Sequence, residues 1–160
     1  MFRIGHGIDI HAFSDDPARP CVLGGVTIPN ARGLAGHSDA DALVHAICDA
    51  MLGAAALPDI GHFFPDSDPA WLNIRSTLLL ERVAAEIRAA GFSIVNIDAT
   101  VLAQVPKLAP HIPAMRTMLA AVLQVSPTHI AIKATTTERL GFIGRCEGIE
   151  AHAVCLLQSQ

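Results

Sequence analysis

The sequence predicts an α+β fold: a mixed four-stranded sheet, helices on one face of it, and a small N-terminal hairpin. Three observations predict it. Segments whose apolar residues alternate are interleaved with segments whose apolar residues recur at helical spacing. The final strands carry apolar residues on both sides, while the helices suffice to cover only one face, so another copy of the same chain is expected on the other. And 160 residues with 51% hydrophobic and 16% charged content make one well-filled core, hence a single domain over residues 1–160.

The composition bounds the function classes. Aromatics make up only 4%, with no Tyr and one Trp, so Ala, Val, Ile and Leu must do the packing. A net charge of -4 argues against a general nucleic-acid binder. None of the four cysteines, Cys21, Cys48, Cys146 and Cys155, forms a C-x-x-C pair, so a cysteine zinc site is not expected. The start, Met-Phe-Arg-Ile-Gly-His, lacks a signal-peptide apolar core. The longest apolar run, Ala42 to Leu57, is interrupted by His45 and Asp49 and is too short for a membrane span. A cytoplasmic protein with free thiols is the expectation.

Taken in order, residues 2–11 read as a strand. Asp9 and His11 are two apart and project from one face, with Ile8 and Ile10 on the other. Such a pair offers one oxygen and one nitrogen ligand suited to zinc, although a polar strand face is the plainer reading. His6 falls on the face opposite Asp9 and is expected to be packed. Residues 14–20 are a polar loop. Cys21–Leu23 and Val26–Ile28, joined by Gly24-Gly25, read as a hairpin that covers an edge or projects as an arm.

The stretch from Gly36 to Asp49 reads as a loop feeding a helix. Ser38 and Asp41 fit an N-cap pattern, which would place Asp39 and Asp41 in the first turn. Asp41, His45 and Asp49 recur every four residues and so share a face. A metal site and a solvated polar face both account for them. The helix runs to about residues 53–56 and stops before Pro58. Residues 58–69, rich in Pro and Asp with Phe63 and Phe64, form a loop: either a substrate wall or a turn-rich linker.

A second helix is expected over about Ser76 to Ala90, with Leu79, Val83, Ile87 and Ala90 buried and Gly91 as its C-terminal cap. Residues 92–103 alternate as a strand, with Val95, Ile97, Ala99 and Val101 on one face. A loop over 104–110 precedes a third helix from about His111 to Leu123, with Pro113 in its first turn. Residues 129–136 form a strand that runs into Thr137-Glu138-Arg139-Leu140-Gly141-Phe142-Ile143-Gly144-Arg145. Hydroxyls, glycines and arginines there suit a phosphate-binding loop or, equally, a strand end with a Gly turn; the P-loop pattern is absent. The last strand spans about 148–157, and the final two strands are read as an adjacent pair.

The motifs Gly5-His6-Gly7-x-Asp9-x-His11, Leu23-Gly24-Gly25-Val26-x-Ile28-Pro29, His37-Ser38-Asp39-x-Asp41, Asp59-Ile60-Gly61-x-x-Phe64-Pro65-Asp66 and Lys133-Ala134-Thr135-Thr136-Thr137-Glu138-x-Leu140-Gly141-Phe142 occur in this order. Together they resemble the 2-C-methyl-D-erythritol 2,4-cyclodiphosphate synthases of non-mevalonate isoprenoid biosynthesis, over nearly the whole chain. The resemblance implies a homotrimer with active sites between subunits, a zinc ion on Asp9, His11 and His45, and a second cation, magnesium or manganese, near Glu138. It implies a lyase reaction in which the 2-phosphate of 4-diphosphocytidyl-2-C-methyl-D-erythritol 2-phosphate attacks the β-phosphorus and CMP leaves.

By the same resemblance His37 and Thr136 stabilise the transition state and Ser38 contacts phosphate. Asp59, Ile60, Gly61, Phe64, Pro65, Asp66, Ser67 and Asp68 surround the methylerythritol end. Ala103, Gln104, Val105, Pro106, Lys107, Leu108 and Ala109 belong to the cytidine and diphosphate pocket with Thr135, Thr136, Thr137 and Glu138, completed by Phe142 and Arg145. Asp49 is implied to support the site rather than to be a fourth ligand. Ile8, at a position open to Phe, and Cys146, where Gly is common, depart from the family pattern. Two other classes fit the same residues: a metal-dependent phosphohydrolase, and a non-catalytic trimeric metal-binding module.

Overall fold

The computed structural model describes residues 1–160. Strand β1 covers Phe2–Ala12, the hairpin is β2 (Cys21–Leu23) and β3 (Val26–Ile28), and helix α1 covers Ala42–Ala54. There follow α2 (Ile60–Phe63), α3 (Ser76–Ala89), β4 (Phe92–Leu102), α4 (Ile112–Leu123), β5 (Ile130–Thr135), α5 (Gly141–Gly144) and β6 (Gly148–Ser159). The sheet order is β1-β6-β4-β5. β6 is antiparallel to both β1 and β4, while β4 and β5 are parallel, so the sheet is mixed as expected. The expected pairing of the last two strands does not occur, because β6 enters between β1 and β4 and leaves β5 on the far edge.

Alternation along the strands divides the sheet into a covered and an open face. Ile97, Ala99 and Val101 of β4, Ile130 and Ile132 of β5, and the odd-numbered residues from Ile149 to Leu157 of β6 are buried beneath the helices. Val95 departs from this pattern: it is half-buried at a register shift between Ile94 and Asn96. On the open face β1 exposes Phe2, Ile4, Ile8 and Ile10, with Val154 of β6 beside them. His6 lies on this open face too and is exposed rather than packed, its ring 5.6 Å from that of His152. Towards β4 and β5 the same face turns polar, with Asp98 paired to Lys133. Helices therefore cover one face only.

The buried large side chains are Leu, Ile and Met, with Phe13 and Phe64 only at the margin of the core. Aromatic scarcity is thus met by close aliphatic packing. α1 is the centre of that core: only Gly53, His45 and Asp49 of its residues escape full burial. α3 buries Leu79, Leu80, Val83, Ala84 and Ile87, but Ala90 lies beyond its end and is exposed. Gly91 follows with φ +83°, a left-handed cap position.

The N-terminus of α1 is capped by Asp41, not by Ser38. The Asp41 side chain accepts from Val44 N–H at 3.0 Å, and also from Gly24 N–H at 2.9 Å and Gly25 N–H at 2.6 Å. Asp39 and Asp41 therefore precede the helix, and Asp41 points to the hairpin instead of sharing a face with His45 and Asp49. The pattern Asp-x-x-Val satisfies the capping rule as well as Ser-x-x-Asp does, and the two glycine amides decide between them. Gly24 and Gly25, at φ +58° and +72°, present both amides to one carboxylate. The hairpin is consequently held against the helical layer, where Leu23 and Ile28 are buried; it is not an arm.

α1 lies directly on β1. A Cβ at Gly5 would stand 2.0 Å from the Ala50 carbonyl oxygen, and one at Gly7 would stand 2.1 Å from that of Ala46. Gly5, Gly7, Asp9 and His11 alternate onto one strand face, so the glycines that admit the helix and the polar pair that follows are parts of one pattern. Gly7→Ala should push α1 off the strand and destabilise the protein by about 1–3 kcal/mol, the usual cost of overpacking a filled core. Chemical denaturation would measure it; wild-type stability in that variant would contradict the close-approach account.

Candidate metal centre

β1 brings Asp9 and His11 to the covered face near its end, and α1 supplies His45 from its first turn. His11 Nε2 lies 2.9 Å from Asp9 Oδ2, and His45 Nδ1 lies 3.3 Å from the same oxygen. The two ring nitrogens are 3.3 Å apart. For ligands about 2.0–2.1 Å from one ion, tetrahedral geometry gives an edge of ~3.3 Å, so the triangle has the dimensions of a tetrahedral face. One carboxylate oxygen and two imidazoles are a donor set that fits a divalent transition metal. Of the three residues that the helix periodicity grouped, only His45 reaches this centre. Asp49 Oδ1 accepts from Ile60 N–H at 2.8 Å and so ties the loop after α1 to the helix.

The imidazoles are oriented from behind. His11 Nδ1 lies 2.7 Å from the Ala35 carbonyl, which can only accept, so its proton sits there and Nε2 keeps its lone pair. His45 Nε2 faces Ser76 Oγ at 2.9 Å and Ser38 Oγ at 3.2 Å. The segment that carries Ala35 and Ser38 is clamped by Arg19, whose guanidinium donates to the carbonyls of Leu34, Gly36 and Ser38. Burial would raise the Asp9 carboxyl, but His11 and His45 beside it, donating to it when their rings carry both protons, outweigh it and draw it down to about 2. Burial opposes protonation of His11, yet Asp9 raises its pKa above the ordinary value.

A cavity of about 260 Å³ opens over these side chains, lined also by His37, Ser38, Ile60, Gly61, Phe64 and Asp66. Of the expected wall, Ile60, Gly61, Phe64 and Asp66 line this cavity, and Asp59, Pro65, Ser67 and Asp68 do not. Asp59 and Asp68 serve the backbone, accepting from His62 N–H and Ala70 N–H, each at 2.9 Å. Trp71, which no sequence motif marked, lines the cavity edge-on to Phe64, ring centroids 5.1 Å apart, under the guanidinium of Arg82.

The remaining expected residues gather elsewhere. A second cavity, about 300 Å³, is lined by Ala103, Gln104, Pro106, Lys107, Leu108, Ala109, Thr135 and Thr136 at the ends of β4 and β5. In the turn beyond it Glu138 and Arg139 are non-glycine residues at φ +51° and +66°. Thr136 Oγ1 donates to Glu138 Oε1 at 2.8 Å, and Arg139 N–H donates to Gln104 Oε1 at 3.1 Å, holding this strained turn. Phe142 and Arg145 are exposed after it, Arg145 paired with Glu147 at 2.6 Å. His11 pairs with Ile149, Glu150 with Leu102, and Leu102 with Thr135. The two groups therefore stand on nearly one row across four strands, on opposite edges, ~14 Å apart at about 4.8 Å per strand.

The YgbB family model matches residues 2–158. The chain belongs to the YgbB family. Among its relatives, the 2-C-methyl-D-erythritol 2,4-cyclodiphosphate synthase of Syntrophomonas wolfei is 55% identical over 156 residues, 98% of each chain. The bifunctional IspDF of Campylobacter jejuni superposes with a TM-score of 0.95 at 42% identity, over the whole of this chain and 43% of that one. The IspF–CDP complex of Plasmodium falciparum superposes with a TM-score of 0.86 at 35% identity, over 99% of this chain and 97% of that one. In this chain the Asp9–His11–His45 group, which could hold a metal ion, sits at the edge strand of the sheet, and no helix is long and apolar enough to cross a membrane.

In metal-free protein the Asp9–His11 pair should stabilise the fold in a defined pH window. The depressed Asp9 contributes above its unfolded value of 3.8 and loses that contribution as pH falls towards about 2. The raised His11 contributes below its unfolded value of 6.5 and loses it as pH rises. Asp9→Asn should therefore cost about 1–2 kcal/mol between these values and less at alkaline pH. Urea titrations of chelator-treated protein would read this, and a pH-independent difference would contradict it.

Proposed function

We propose that the chain converts 4-diphosphocytidyl-2-C-methyl-D-erythritol 2-phosphate into 2-C-methyl-D-erythritol 2,4-cyclodiphosphate and CMP, acting as a lyase of isoprenoid biosynthesis. The observation that carries this reading is the Asp9–His11–His45 face in a chain that full-length synthases match at 55% identity. An oxygen of the 2-phosphate bonds to the β-phosphorus, the bond from that phosphorus to the bridging oxygen breaks, and the oxygen leaves with CMP. The CDP complex of the Plasmodium relative supports a cytidine diphosphate-linked substrate.

Asp9, His11 and His45 would hold zinc. Bound there, zinc supplies positive charge to a substrate phosphate oxygen, offsetting the repulsion between two anionic groups. Glu138, exposed and with one oxygen not engaged by Thr136, suits magnesium or manganese at the diphosphate. His37 and, once its hydroxyl turns from Glu138, Thr136 donate hydrogen bonds to oxygens that gain charge in the transition state, and Ser38 holds a phosphate. Ile60, Gly61 and residues 64–68, with the Asp59 cap beneath them, enclose the methylerythritol end. Residues 103–109 and 135–137 with Lys107, Phe142 and Arg145 receive the cytidine and diphosphate. Folding the flexible substrate so that its phosphates meet supplies the proximity the reaction needs.

The ~14 Å between the two groups supports an active site completed by a neighbouring subunit. The exposed Phe2, Ile4, Ile8 and Ile10 support a homotrimer packed through the open face of the sheet. On this reading residues 1–160 fold as one domain and work in the cytoplasm, with free cysteines.

Phosphorus NMR of protein, zinc, magnesium and the cytidyl substrate tests the reaction. A cyclic diphosphate with CMP is expected, whereas free phosphate would establish a hydrolase and no change a binding module. His45→Ala should reduce bound zinc to under about a tenth of an equivalent, because metal affinity depends on every ligand. Elemental analysis at wild-type level would refute the assignment. Ile8→Glu with Ile10→Glu should yield monomers by light scattering; an intact trimer would place the interface elsewhere.

A further inference from the structure

Ser76, fully buried at the first position of α3, lies between an acid and a metal-centre histidine without belonging to either motif. Its backbone N–H donates to Asp39 Oδ2 at 3.0 Å, and its hydroxyl donates to Asp39 Oδ1. A carboxylate only accepts, so the one hydroxyl proton is committed to Asp39. The Ser76 oxygen therefore meets His45 Nε2, 2.9 Å away, with its lone pairs. A neutral imidazole carries one N–H, and this contact requires it on Nε2. Nδ1 is then the nitrogen with a free lone pair, and it is the one that faces Asp9 and His11.

We infer that Asp39, acting through the Ser76 hydroxyl, is a positioning residue that fixes the tautomer of His45 and keeps Nδ1 available to the metal. The inference rests on the metal reading given above. Ser38 cannot set the direction alone: its hydroxyl oxygen accepts from Ala40 N–H at 3.2 Å, and its proton is free to turn towards His45 or away. Asp39 is itself immobilised, its N–H donating to the Ile74 carbonyl at 3.1 Å. The carboxylate thus orients the histidine without touching it, through a serine 37 residues from Asp39 and 31 from His45 in the chain.

Asp39→Asn isolates the effect. The Asn carbonyl can still accept from Ser76 N–H, while its amide group, facing the hydroxyl, turns the hydroxyl proton towards His45 Nε2 and moves the imidazole proton to Nδ1. Two readouts are needed. Nitrogen-15 NMR of metal-free protein, at a pH that leaves the imidazoles neutral, should find Nδ1 of His45 unprotonated in the wild type and protonated in the variant. Chelator competition should find zinc bound 10–100-fold more weakly by the variant, the usual effect of losing a group that orients a ligand. Ser76→Ala, which keeps the backbone bond to Asp39, should weaken zinc by about 10-fold with rescue by neither salt nor substrate. Zinc affinity within about twofold of wild type in both variants, or a wild-type proton on Nδ1, would overturn the inference. If the wild type binds no zinc, the metal reading fails by itself, and the metal-free tautomer still decides whether Asp39 sets the ring.

Discussion

The fold depends on how closely a helix backbone can approach a strand. Because Gly5 and Gly7 have no side chains, the carbonyls of Ala50 and Ala46 can come within 2.0 and 2.1 Å of where a Cβ would stand. Ala42, Ala46, Ala50 and Ala54 keep the helix side equally thin. The result is a helix set low enough for an imidazole in its first turn to reach a carboxylate and a second imidazole on the strand. Interiors as dense as this transmit displacement rather than absorb it. Packing and chemistry are therefore parts of a single constraint, written in alternate residues of one strand.

Around that contact, four aspartates of like chemistry take different tasks from their surroundings. Asp9 faces the centre itself. Asp39 engages a serine behind it. Asp41 is sealed among three backbone amides, and Asp49 ties down the following loop. Burial pushes the Asp41 carboxyl up to about 6 even though those amides favour its charge. Cysteines play no part: burial raises Cys21 to about 11 and Cys155 to about 12, which leaves thiols rather than thiolates.

Much of the local structure was legible because it is encoded locally. The alternation in β1, the Gly-Gly hairpin and the apolar stripes of α3 and α4 located those elements to within a residue or two, whereas α1 starts three residues later than a Ser38 cap would have it. The helix cap was misread because two overlapping patterns satisfy the same rule, and only the hairpin amides, distant in sequence, discriminate. The strand order was not legible, since nothing within β5 or β6 states that β4 lies between them. Spacing left the Asp-x-His pair and His45 ambiguous, and the co-occurrence of several motifs resolved what periodicity could not. Ser76, Arg19 and Trp71 escaped notice because each acts through partners far along the chain, and a lone serine at a helix start has an ordinary capping explanation.

The placement of the centre and of the Thr135–Glu138 turn on opposite edges of one sheet has a genetic consequence. In an assembly built across those edges, a single chain never damages a whole catalytic unit of its own: it contributes one half to each of two. Chains crippled at His45 and chains crippled at Glu138 would then be able to complement each other in mixed particles. Two null alleles of this kind, expressed together, would restore growth that neither supports alone.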